Sequence, residues 1–78
     1  MRVEETMRRV AEFKRVIRGV FREGRRRHWS HERIASELNQ RVKHTPRCRA
    51  LPNWAKALLQ GYEDRCFEEW LGMGDDVE

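Results

Sequence analysis

The sequence predicts an all-α fold, a three-helix bundle with a long N-terminal helix and a basic loop before the third helix. Three observations lead there. Apolar residues recur at spacings of three and four from Val3 to Phe21 and again from Ala55 to Trp70, which marks one buried helical face in each stretch. An N-cap signal at Ser30 opens a shorter run of the same period. Both prolines, Pro46 and Pro52, fall in residues 43–53, which have no helical period.

The first helix is expected from Val3 to about Glu23, with Val3, Met7, Val10, Phe13, Ile17, Val20 and Phe21 as its stripe. Glu4 and Glu5 near its start and Arg22 near its end suit the helix dipole, and Gly24 is a natural stop. Arg25-Arg26-Arg27-His28-Trp29 then reads as a basic connector. From His31 to about Arg41 a short second helix puts Ile34, Ala35, Leu38 and Val42 on one face, with Glu32 in its first turn. Residues 43–53 read as a basic loop or short wing. The third helix is expected from about Trp54 to Leu71, burying Ala55, Leu58, Leu59, Tyr62, Cys66 and Trp70, with Gly61 a point where it can kink. Residues 1–72 form one helical domain, and 73–78 form a frayed acidic tail.

Size limits what such a chain can do. At 78 residues it holds one domain, and a domain of this size buries only roughly 60–65% of the surface its unfolded chain exposes. Little room is left for an enclosed substrate pocket, so an enzyme is not expected. No stretch approaches the ~18 consecutive apolar residues of a membrane span, and the first ten residues lack the pattern of a secretory signal. The expected compartment is the cytoplasm, where Cys48 and Cys66 stay reduced. The formal charge of +4 hides an asymmetry. Residues 1–27 hold ten basic and four acidic side chains, residues 28–53 five and two, and residues 54–78 two and seven. A basic body facing a polyanion, with an acidic tail, is the pattern this suggests.

Residues 29–59 carry an ordered set of features. Ile34-Ala35 and Leu38-Asn39 are followed by Thr45-Pro46-Arg47 and Arg49, then by Ala55, Leu58 and Leu59. This resembles the helix-turn-helix unit of large serine recombinases and related phage and transposon regulators. There an "Ile-Ala-x-x-Leu-Asn" helix precedes a "Thr-Pro-Arg-Gly-basic" loop and a recognition helix. The likeness covers 31 of the 78 residues; Cys48 stands where the family has Gly, and Leu51 where it has Trp. The catalytic serine domain is absent. The resemblance implies a bundle of helix-turn-helix type that recognises DNA, the third helix lying in the major groove, in a phage or mobile-element transcription regulator.

On that reading Asn53, Lys56 and Gln60 face outward as base-contacting residues, since Asn and Gln pair with adenine and Lys reaches guanine. Arg25, Arg26, Arg27, Ser30, Lys43, Arg47 and Arg49 are the phosphate contacts. One unit covers little DNA, so the expected partner is double-stranded DNA bound by a homodimer. Met7, Val10, Phe13, Ile17, Trp54, Phe67 and Trp70 are the candidate protein interface. The alternative function is a small adaptor or inhibitor that docks on a larger protein through its helices. Its face would be Glu63, Asp64, Glu68 and Glu69 beside Phe67, Trp70 and Leu71. RNA is a third candidate partner, which the sequence does not separate from DNA because it shows no stacking-platform motif.

Neither metal nor cofactor is expected. His28-x2-His31 and His44-x3-Cys48, twelve residues apart, imitate zinc-finger spacing. The intervening residues, however, have the apolar face of a helix, which a finger would place at its second ligand pair. Cys48 lies between Arg47 and Arg49, which would lower a thiol pKa, but nothing supplies the oxyanion hole or orienting group that nucleophilic catalysis needs.

Overall fold

The structure, a computed structural model, describes residues 2–75, with side chains over residues 2–72. It is all-helical: α1 (Val3–Arg27), α2 (His31–Leu38), a π turn (Asn39–Lys43), α3 (Pro46–Arg49) and α4 (Asn53–Asp75).

Helix α1 does not stop at Gly24. It continues through Arg25, Arg26 and Arg27, which form its last turn rather than a connector. The stop is His28, in the left-handed conformation (φ 59°, ψ 42°), and the Trp29 N–H then reaches back to the Gly24 carbonyl at 2.8 Å. This is the helix-ending bond pattern usually built on glycine. Gly24 has a different role: it is buried where Ile34 of α2 and the Trp29 ring cross α1.

Ser30 caps α2, its hydroxyl oxygen accepting from the Arg33 N–H at 3.1 Å. The regular α helix ends at Leu38 rather than near Arg41, and the chain widens into the π turn. Thr45 then caps α3, a single turn inside the stretch expected to be a loop. Its hydroxyl accepts from the Cys48 N–H at 3.2 Å and donates to the Val42 carbonyl at 2.7 Å. Pro46 occupies the first turn of α3, where a missing N–H costs nothing. Helix α4 passes Gly61 unbroken and runs to Asp75 instead of ending at Leu71. The rest of the expected acidic tail, residues 76–78, lies outside the described residues.

Contacts fix the topology. Going down the chain from Ile34 to Arg41 to Arg47, the partners on α1 step back from Gly24 to Glu23 to Glu12. The segment α2–α3 therefore runs antiparallel to α1. Lys14 lies over Tyr62, and Phe21 meets the Phe67 ring edge-on at 4.8 Å, so α4 advances in the same sense as α1. The result is an up-down-up arrangement elongated to 46 × 21 × 16 Å.

Between these elements lies a core of Val10, Ile17, Val20, Phe21, Ile34, Leu38, Val42, Cys48, Leu51, Ala55 and Leu59. Phe13, Trp29, Tyr62, Cys66, Phe67 and Trp70 pack against it. Four expectations for the core change. Val3 and Met7, expected in the buried stripe of α1, are 65% and 42% exposed. Leu58 is 44% exposed, because its place on α4 falls outside the strip that faces α1. Glu63, placed on a docking face by sequence, is buried and pairs with Lys43 at 2.9 Å.

Candidate nucleic-acid interface

The first two turns of α4 carry Asn53, Lys56 and Gln60, all exposed. The three are spaced three and four residues apart and so share one helical face. That face lies toward α3 and the π turn, because Glu63, seven residues beyond Lys56, is the residue that pairs with Lys43. Gln60 donates a hydrogen bond to Asp64 at 2.9 Å.

Lys43, Arg49, Lys56, Gln60 and the carboxylate of Glu63 come together around a cleft of about 160 Å³ with an apolar floor of Ile17, Val42, Cys48 and Leu59. Not all of this charge is available. Lys43 is held by Glu63, and Arg47 pairs with Glu12 at 3.4 Å across to α1. Arg49 and Lys56 form no ion pair among the described residues. Ser30 remains exposed but spends its hydroxyl oxygen on the α2 cap.

Arg25, Arg26 and Arg27 lie elsewhere. Tyr62 is level with Lys14, so Lys56 is level with about the second turn of α1. At 1.5 Å per residue this puts the arginine run about 25 Å along the long axis from Lys56. Arg27 pairs with Glu23 at 3.2 Å, while Arg25 and Arg26 form no ion pair among the described residues. The proposed phosphate contacts thus fall into two groups rather than one patch.

A larger basic feature escaped sequence reasoning. Lys14, Arg15, Arg18, Arg22, Arg25 and Arg26 follow one another along α1 at helical spacing, and none forms an ion pair among the described residues. The carboxylates of α1 that do pair, Glu12 and Glu23, point the other way, to Arg47 and Arg41 of the returning segment. The flank toward α2–α3 is mixed, with Arg8 and Arg9 beside Glu5 and Glu12 and with Arg27 on Glu23, whereas the six cations from Lys14 to Arg26 form a basic ridge facing solvent. Glu69 of α4 shares the surroundings of Tyr62 and Cys66 with Arg18 but makes no ion pair with it.

The candidate protein interface is redistributed as well. Val10 and Ile17 are core residues, 1% and 0% exposed, and have no surface to offer. Phe13 is half-buried against the core; Phe67 and Trp70 pack there too, with His31 against both rings. Met7 and Trp54 are exposed, together with Val3 and Leu58.

Cys48 is buried, and burial pushes its thiol pKa up despite the opposing pull of Lys56 and Lys43. The activated thiol suggested by its arginine neighbours in sequence is not formed. Among the described residues no three His, Cys, Asp or Glu side chains gather as metal ligands, and no helix is long and apolar enough to cross a membrane.

Comparison with family models, with curated proteins and with solved structures returns no match.

Proposed function

We propose that the protein is a small DNA-binding module of helix-turn-helix type, with α2 to α4 as the unit and the start of α4 presented to the major groove. The observation that carries this reading is the exposed face formed by Asn53, Lys56 and Gln60 on the first turns of α4, flanked by the exposed Arg49. Side chains at the beginning of a long helix are the ones that reach base edges when that helix enters a groove. Lys56 and Arg49 supply charge there with no ion-pair partner among the described residues, Glu63 of the same cleft being taken up by Lys43, whereas Lys43 and Arg47 must first give up Glu63 and Glu12. The proposed role is that of a regulator of a phage or mobile element, acting as a homodimer in the cytoplasm. Dimer contacts would draw on exposed apolar residues such as Met7, Trp54, Val3 and Leu58, since Val10 and Ile17 are committed to the core.

Titration of duplex DNA with wild-type protein and with Lys56→Ala and Arg49→Ala tests the proposal. Each substitution is expected to weaken binding about five- to tenfold, as loss of one charge-assisted contact does. Neither site is buried, so the fold should survive. Equal affinity of all three proteins for duplex would remove α4 from the interface. One observation favours the adaptor reading: Trp54 and Leu58 of α4 are each more than two-fifths exposed, with Leu58 on the side of Lys14 and Tyr62 rather than on the reading face. If Trp54→Ala abolishes function while the two basic substitutions do not, the partner is a protein.

A further inference from the structure

The basic ridge of α1 has no part in the reading face, and the folded topology separates the two. On α1, Lys14 leans over Tyr62 of α4, and Arg18, Arg22 and Arg25 continue from it at spacings of four, four and three. Glu12 and Glu23 mark the other flank, which is covered by α2–α3. On α4 the order is complementary: Tyr62 faces the ridge side, while Lys56 and Glu63 face the π turn and α3. The ridge and the α4 face therefore lie on different sides of a molecule about as thick as a duplex, with extents of 21 and 16 Å across its long axis. One straight duplex cannot lie along both.

We propose that the outward face of α1 is a second nucleic-acid surface, which holds the phosphate backbone of a second duplex segment. This rests on the DNA-binding reading of α4 and adds a bridging role to it. From Lys14 to Arg26 the ridge is about 18 Å long, or roughly five base-pair steps, and it offers a cation on every turn. Glu23 of α1 lies at its edge beside Arg22 and Arg26, but that carboxylate is engaged by Arg27 and Arg41, so the ridge cations have no ion-pair partner among the described residues. An anionic membrane is a poorer match. A helix that lies in a lipid surface inserts its apolar face; within the ridge's length Ile17, Val20 and Phe21 are spent in the core and Val16 is left exposed, while the exposed Val3 and Met7 precede it. The contacts are to backbone only, so this surface is indifferent to sequence.

The test uses an immobilised duplex, the full chain, and a second, labelled duplex of unrelated sequence, with the mass of the free protein measured in parallel. Wild-type protein is expected to capture the labelled duplex. The triple substitution Arg18→Gln, Arg22→Gln, Arg25→Gln removes only exposed charge. It should leave binding of the first duplex within about threefold and reduce capture at least tenfold. Lys56→Ala should do the reverse, weakening the first binding event more than the second. Protein that binds one duplex but never captures another overturns the ridge and leaves the α4 reading intact. Capture that persists in the triple variant assigns bridging to a dimer and also overturns it. Failure to bind any duplex overturns the α4 reading, and retention by anionic vesicles alone replaces nucleic acid with a membrane.

Discussion

Two glycines of α1 show how far single positions differ inside one helix. At Gly24 an added Cβ would lie 3.0 Å from two atoms of Ile34 and 3.2 Å from the Trp29 ring. Ile34 is fully buried and cannot move aside, so overpacking outweighs the gain in helix propensity. Gly24→Ala is expected to destabilise the fold by about 1–2 kcal/mol. At Gly19 nothing lies within 4 Å of the added atom. There the same change should stabilise by about 0.5–1 kcal/mol, the ordinary cost of glycine in a helix. Urea midpoints of the two variants should move in opposite directions. The cysteines give a second expectation at this scale. Burial raises the pKa of Cys48 and Cys66 above 9.0, so above that pH the unfolded chain loses these protons before the folded one does. Stability is then full below pH 9 and declines as pH rises through the folded values. Urea denaturation at pH 8 and pH 9.5 should show the decline, and Cys48→Ala should reduce it; equal midpoints at both pH values would contradict the burial of these thiols as ionisable groups.

At the scale of elements, residues with strong local chemistry were legible and the irregular stretches were not. Ser30 caps α2 because its hydroxyl satisfies an amide that the helix cannot, and that signal is written in three adjacent residues. Thr45-Pro46 is an equally good start for a helix, but the turn it opens is only Pro46–Arg49. So short a helix leaves no apolar period, which is why the stretch reads as a loop. Its stability rests on Thr45, which bonds to both Cys48 and Val42. Thr45→Ala should cost about 1–2 kcal/mol and loosen Arg49 along with α3, seen as faster amide exchange at Cys48. The extension of α1 through Arg27 was hidden for the opposite reason. Glycine and three arginines suggest an end, yet Trp29 and Ile34 need a residue without a side chain at Gly24. His28 accepts the left-handed turn that follows.

Considered as a whole molecule, the chain partitions charge as well as apolar surface. Its ion pairs between segments, Arg41–Glu23, Arg47–Glu12 and Lys43–Glu63, all fasten the returning segment to α1 or α4. The exposed pairs Arg41–Glu23 and Arg47–Glu12 contribute little stability each, while Lys43–Glu63 joins a half-buried lysine to a buried carboxylate; all three decide which cations remain available to a ligand. The titration proposed for α4 carries this prediction in its salt dependence. If about four phosphates are neutralised, the logarithm of affinity should fall with that of salt concentration at a slope near −3.6. A flat response would exclude phosphate contact altogether.

The periodic apolar residues determined by themselves that this protein is helical, that its first helix is long, and that Ala55 and Leu59 lie inside, because burial of one face is a local property of a 3.6-residue repeat. Sequence also placed Asn53, Lys56 and Gln60 on a common exposed face. Only the tertiary structure decided that Val10 and Ile17 have no surface left, that Lys43 is bound to Glu63, and that Arg25 lies far from Lys56. These depend on which way α2–α3 returns along α1. That direction is set by packing between residues distant in the chain, such as Gly24 with Ile34 and Phe21 with Phe67, and no local period carries it.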